Sequence, residues 1–109
     1  MAISTTLLSS AATTPIFIAS TGTEYAITTI IFCNTDDLAD AELNLFAVPD
    51  GGVPSQATQI LKSVKIPAGE TFVMDSEKLI LGGGDKLFAK IDPLTVGDIV
   101  CATVSSVQI

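Results

Sequence analysis

The sequence predicts an all-β protein: a single antiparallel β-sandwich, jelly-roll or immunoglobulin-like, of about eight short strands. Three observations carry this. Thr, Val, Ile and Phe gather in runs of strand length, and Gly, Pro, Asn and Asp interrupt them every eight to twelve residues or roughly so. Several runs alternate polar and apolar residues with a period of two, the mark of a half-buried antiparallel strand. No long run shows helical periodicity. The best helical candidate, "DDLADAEL" at 36–43, is short and leads straight into a strand pattern.

Taken in order, residues 1–13 are expected to form an extended N-terminal arm, with 3–8 a strand or arm, and 14–109 a single sandwich domain. "TPIFIA" (14–19) is a strand closed by the turn "STGTE". "YAITTIIFCN" (25–34) is a long strand that is apolar on both faces from Ile27 to Cys33, so it is central or lies at an interface. "TDDLAD" is a loop. In "AELNLFAV" (41–48), Leu43 and Leu45 oppose Asn44. After the Pro/Gly-rich loop "PDGGVPSQ", "TQILKSVKI" (58–66) sets Ile60, Val64 and Ile66 on one face, broken by Lys62. "PAG" turns into "ETFVMD" (70–75). "SEKLILGGG" holds a short strand and a glycine turn. In "DKLFAKI" (85–91), Leu87, Ala89 and Ile91 face inward and Lys86 and Lys90 outward. "DPLTVG" leads to the last strand at 98–107. The absence of tryptophan, and with it of a Cys–Trp–Cys spacing, counts against a true immunoglobulin domain.

A chain of 109 residues forms one domain and buries roughly two thirds of its unfolded surface. Its hydrophobic content of 48% and mean hydropathy of +0.57 exceed what so small a core absorbs, which predicts association with itself or with a partner. The expected contact residues are Ile3, Leu7 and Leu8 of the arm and Ile30 and Phe32 on the outward side of the central strand. No run approaches the 18 or so apolar residues of a membrane helix. The N-terminus lacks the basic segment of a signal peptide. Twelve acids stand against five lysines and no arginine, a net charge of -7. That balance argues against nucleic acid and against anionic membranes as partners.

The composition also argues against an enzyme. There is no histidine, hence no common general base and no Ser–His or Cys–His arrangement. The aspartates fall mostly in turns, where their side chains bond their own backbone. "GGGD" (82–85) lacks the pattern of a phosphate loop and reads as a hairpin turn. Asp36, Asp37, Asp40 and Glu42 are the one place for a Ca²⁺, without the spacing of a calcium loop, so no metal and no cofactor are expected. Cys33 and Cys101 sit in strand patterns and read as buried free thiols, with a disulfide as the alternative.

The succession "FCNTD", "AVPDGG", "IPAGETFVM", "LILGGGDKLFAKI" and "VSSVQI" resembles a group of small virion proteins of tailed bacteriophages, over Tyr25 to Ile109. The resemblance is one of turns and strand ends. It implies a β-sandwich virion structural protein without catalysis, assembled in the host cytoplasm. Two placements are open: a capsid decoration (cement) protein, which the resemblance implies to be a homo-oligomer (a trimer or dimer) bound to the major capsid protein, or a tail, neck or baseplate component bound to another virion protein. A carbohydrate- or cell-surface-binding head domain is the reading from a different class, and it would require exposed aromatic rings.

Overall fold

In a computed structural model of the chain, residues 2–8, 13–35, 40–74, 79–93 and 100–108 are described. They form nine strands: β1 (Ala2–Leu8), β2 (Thr14–Ile18), β3 (Tyr25–Asn34), β4 (Ala41–Val48), β5 (Gln59–Ile66), β6 (Thr71–Met74), β7 (Leu79–Leu81), β8 (Lys86–Pro93) and β9 (Val100–Gln108). No helix occurs among the described residues. Ala41–Leu43, the end of the segment with the best helical pattern, belongs to β4 as the strand reading of 41–48 expects, while 36–39 lie outside the described residues.

All pairing is antiparallel, in two sheets. The first has the order β1-β9-β3-β6, with β7 also on β3. The second has the order β2-β8-β4-β5. The pairs are nested: β1 with β9, β2 with β8, β3 with β6, β4 with β5. This is a long ribbon of strand pairs rolled over itself, the jelly-roll form of the sandwich and not the immunoglobulin one. Residues 3–8, expected as strand or arm, belong to β1, a sheet strand in unbroken register with β9.

Both sheets turn one apolar side inward. Leu8, Val100, Ala102, Val104, Ile30 and Phe32 from the first sheet meet Ala41, Leu43, Leu45, Leu87, Ala89 and Ile91 from the second, and all are buried. Leu87, Ala89 and Ile91 face inward as the alternation of β8 predicts. Asn34, fully buried at the end of β3, donates from Nδ2 to the Ile66 carbonyl at 3.0 Å and so ties the two sheets together.

The face assigned to β5 needs correction. Val64 and Ile66 point inward, but Ile60 is exposed beside Lys62, and Leu61 is the residue turned toward the core. The reason is a bulge. The β4–β5 register slips between Leu43 and Leu45, where Leu43 faces Val64 but Leu45 faces Leu61. The extra residue flips the parity as far as Leu61, and a second slip, between Leu45 facing Leu61 and Phe46 facing Gln59, leaves the exposed Ile60 as a further extra residue. Ser63, in the bulge, has a φ of 52°, and its N–H donates to Asn44 Oδ1 at 3.1 Å. The same oxygen accepts from Gln59 Nε2 at 3.0 Å. The buried Asn44, a break in the apolar pattern of β4, is thus the anchor of the bulge.

Asp85 behaves as the turn reading suggests, bonding the backbone of its own hairpin. Asp85 accepts from the Gly82 N–H through Oδ2 and from the Asp50 N–H through Oδ1, both at 2.9 Å. Gly84 in this hairpin has a φ of 87°, open to glycine and strained for other residues.

Candidate interaction surface

The outer side of the first sheet stands out by composition. None of its strands, β1, β3, β6, β7 or β9, contains a charged residue. Its outward positions line up across the strands in rows fixed by the register. One row runs Leu7, Cys101, Cys33, Thr71, and the next runs Thr5, Thr103, Ile31, Val73. A third begins Ile3, Ser105, Thr29. Beyond a bulge at Thr28 the row is Val107, Ala26, Ile80. The Thr28 hydroxyl seals that bulge by donating to the Ser105 carbonyl at 3.1 Å. Ile3, Leu7, Ile31, Val73, Ile80 and Val107 are the large apolar side chains left exposed on this side.

The second sheet is the opposite in character. Lys62, Lys65, Lys86 and Lys90 all lie on its strands, with Glu42 among them. The molecule is therefore two-sided: one sheet carries charge to water, and the other presents uncharged groups, namely hydroxyls, aliphatic chains and the Cys33 and Cys101 thiols. Water solvates the first arrangement well and the second poorly, so the uncharged side is where contact with protein gains most.

Of the residues expected at a contact, the structure separates two from three. Ile3 and Leu7 are outward and exposed, at 70% and 60%. Leu8, Ile30 and Phe32 are core residues, so they are unavailable for contact in the folded chain. The sequence of β3 is apolar on both faces, so its phase was not readable. Pairing with β9 sets it: Phe32 and Ile30 oppose the buried Ala102 and Val104, which leaves Ile31 and Cys33 outside. The exposed Val73, Ile80 and Val107 escaped sequence reasoning. The signal for them is the lack of any charge in their strands.

Cys33 and Cys101 are direct cross-strand neighbours in this face, half-buried, with both thiols free. Of the acidic cluster that the sequence offers to Ca²⁺, Asp36 and Asp37 lie outside the described residues. Asp40 is committed elsewhere: it accepts from the Ala68 N–H at 3.0 Å and pairs with Lys65 Nζ at 3.1 Å. The Ala68 hydrogen bond first, and Lys65 second, hold its carboxyl below the usual value of 3.8. A shallow, mostly apolar recess of about 190 Å³ lies between Ala47, Val48 and Pro49 on one side and Leu79 to Leu81 on the other. Among the described residues, Asp85 is the one ionisable side chain lining it.

All six aromatic residues are buried or half-buried. Phe17 and Tyr25 meet edge to face, with centroids 5.3 Å apart, and pack against the core. None offers an exposed ring to a ligand. No protein-family model matches the chain, and no curated protein matches it.

Proposed function

We propose that the chain is a non-catalytic structural protein of a tailed-phage virion, a capsid decoration protein that self-associates and binds the outside of the shell. The observation that carries this reading is the uncharged, aliphatic outer side of the first sheet, set against a charged second sheet. A two-sided plate of this kind is suited to lying against protein on one side while facing water on the other. The sequence supplies neither histidine nor arginine for chemistry. The buried polar side chains Asn34 and Asn44 hold strands together. The fold is compatible with the reading without deciding it, since jelly rolls serve viral capsids, lectins and other functions alike. The sugar-binding reading has less support, because stacking against a sugar needs an exposed aromatic ring and none is presented.

Quantitative mass spectrometry of purified particles tests the proposal. A ratio to the major capsid protein on the order of one to one, or one to a few, is expected for a site repeated over a closed shell. A few dozen copies or fewer would move the protein to the tail, neck or baseplate. Its absence from particles would overturn the virion reading.

A further inference from the structure

We propose that β1 pairs edge to edge, antiparallel, with β1 of a second copy of this chain, so that the first sheet continues unbroken across a twofold axis. The argument starts from how the sheet edges are protected. A free edge strand invites pairing, and proteins blunt such edges with charge, proline, bulges or short strands. Each of the other edges carries one of these devices. β2 contains Pro15 and a register break beside it. β5 carries Lys62, Lys65 and the Ser63 bulge. β6 and β7 have only four and three residues. β1 has seven residues, with no charge, proline, glycine or bulge, and among the described residues no strand pairs with its other side.

The strand is also complementary to itself. Ala2–Leu8 is centred on Thr5. A twofold axis through Thr5 sets Ile3 against the partner's Leu7, and Leu7 against the partner's Ile3. These are two of the most exposed aliphatic side chains of the molecule, at 70% and 60%, and the pairing covers both in each copy. On the inner side it sets Ser4 against the partner's Thr6, so hydroxyl meets hydroxyl. Seven residues give a seam about 23 Å long, with backbone N–H and C=O groups satisfied along it. Charge points the same way. Each copy carries -7, and β1 is a segment along which two copies approach with no ionised side chain between them. The contact is isologous and closes on itself, giving a dimer rather than a fibre. This inference does not depend on the virion reading, since it concerns the isolated chain.

Sedimentation velocity of the full chain over a wide concentration range is the test, with far-UV circular dichroism as the check on folding. The native chain is expected to dimerise. Thr5→Lys, which places two ammonium groups face to face at the axis, is expected to weaken association by roughly tenfold or more. Ile80→Lys puts the same charge on the same face at the far edge and is expected to leave association unchanged. In a Cys33→Ser, Cys101→Ser background, Thr5→Cys is expected to give a disulfide-linked dimer on mild oxidation, since paired Cβ atoms on the axis come within disulfide reach. A native chain that stays monomeric overturns the proposal, as does a folded Thr5→Cys variant that does not cross-link. Dissociation by Ile80→Lys as complete as by Thr5→Lys would also overturn it, in favour of contact through the whole face.

Discussion

Replacing Ser63 with glycine should stabilise the protein, which is the reverse of what glycine does in an ordinary strand. Ser63 sits inside β5 with a φ of 52°, in the left-handed region. An L-residue there costs about 1–2 kcal/mol, from the approach of Cβ to the following carbonyl. Glycine escapes that cost and gives back about 0.5–1 kcal/mol through its larger freedom in the unfolded chain. Ser63 is exposed, so little packing is lost with its side chain. Its N–H keeps the bond to Asn44 Oδ1 whichever residue stands there. The net is a gain of about 0.5–1 kcal/mol, or about 2–6 °C in Tm for a domain of this size. Urea unfolding followed by far-UV circular dichroism measures it as a raised midpoint at unchanged slope. Thr103→Gly, in the regular part of β9, is the control and should lose about 1 kcal/mol. If Ser63→Gly loses stability as the control does, then the bulge is not held in the left-handed form, and the account of the displaced β5 face fails with it.

Asn34→Ala should cost about 2–3 kcal/mol in the same assay, because it removes the bond to the Ile66 carbonyl and strands that acceptor between the sheets. A loss below about 0.5 kcal/mol would mean that the tie between sheets contributes little. Ser106→Ala should gain about 1 kcal/mol, since the Ser106 hydroxyl is buried with no partner among the described residues and an apolar group has nothing to lose there; a loss would count against that. Asp40 titrates below its ordinary value of 3.8 in the folded chain, so its contribution to stability is in place above 3.8 and drains away as the pH falls through its folded value. Asp40→Asn should therefore be less stable than the native chain near neutrality, with the gap closing in acid below 3.8; a gap of constant size across that range would refute the assignment.

The sequence was legible wherever one face of a strand is polar. β8 shows this: Lys86 and Lys90 mark the outside, so Leu87, Ala89 and Ile91 had to be inside, and they are. β3 has no such marker. Either phase of Ile30-Ile31-Phe32-Cys33 satisfies the pattern, and only the partner strand β9 decides between them. That is why Ile30 and Phe32 were expected at a contact and are found in the core. In β5 the alternation is interrupted twice, and a count of every second position from Ile66 reaches Ile60, when the first slip has already moved the chain to Leu61 and the second falls at Ile60 itself. The charge-free strands were plain in the sequence one by one. That they share a sheet is a matter of topology, set by pairings between segments far apart in the chain, and no local pattern encodes it.

The nested order of the strands has a consequence for how the chain is made. Of the nine strands, β1 leaves the ribosome before the others and its partner β9 after them: Ala2 is aligned with Ser106. At about 5–20 residues per second, β1 waits several seconds for the strand that completes its sheet. Closing so long a loop then places folding in the slow class, on the order of milliseconds to seconds. For all of that time the segment "AISTTLL", uncharged and rich in β-forming residues, is unpaired on both sides. The crowded polysome is thus where this chain runs its greatest risk of pairing with the wrong neighbour, and a shortened nascent chain lacking β9 could not retire that risk by folding.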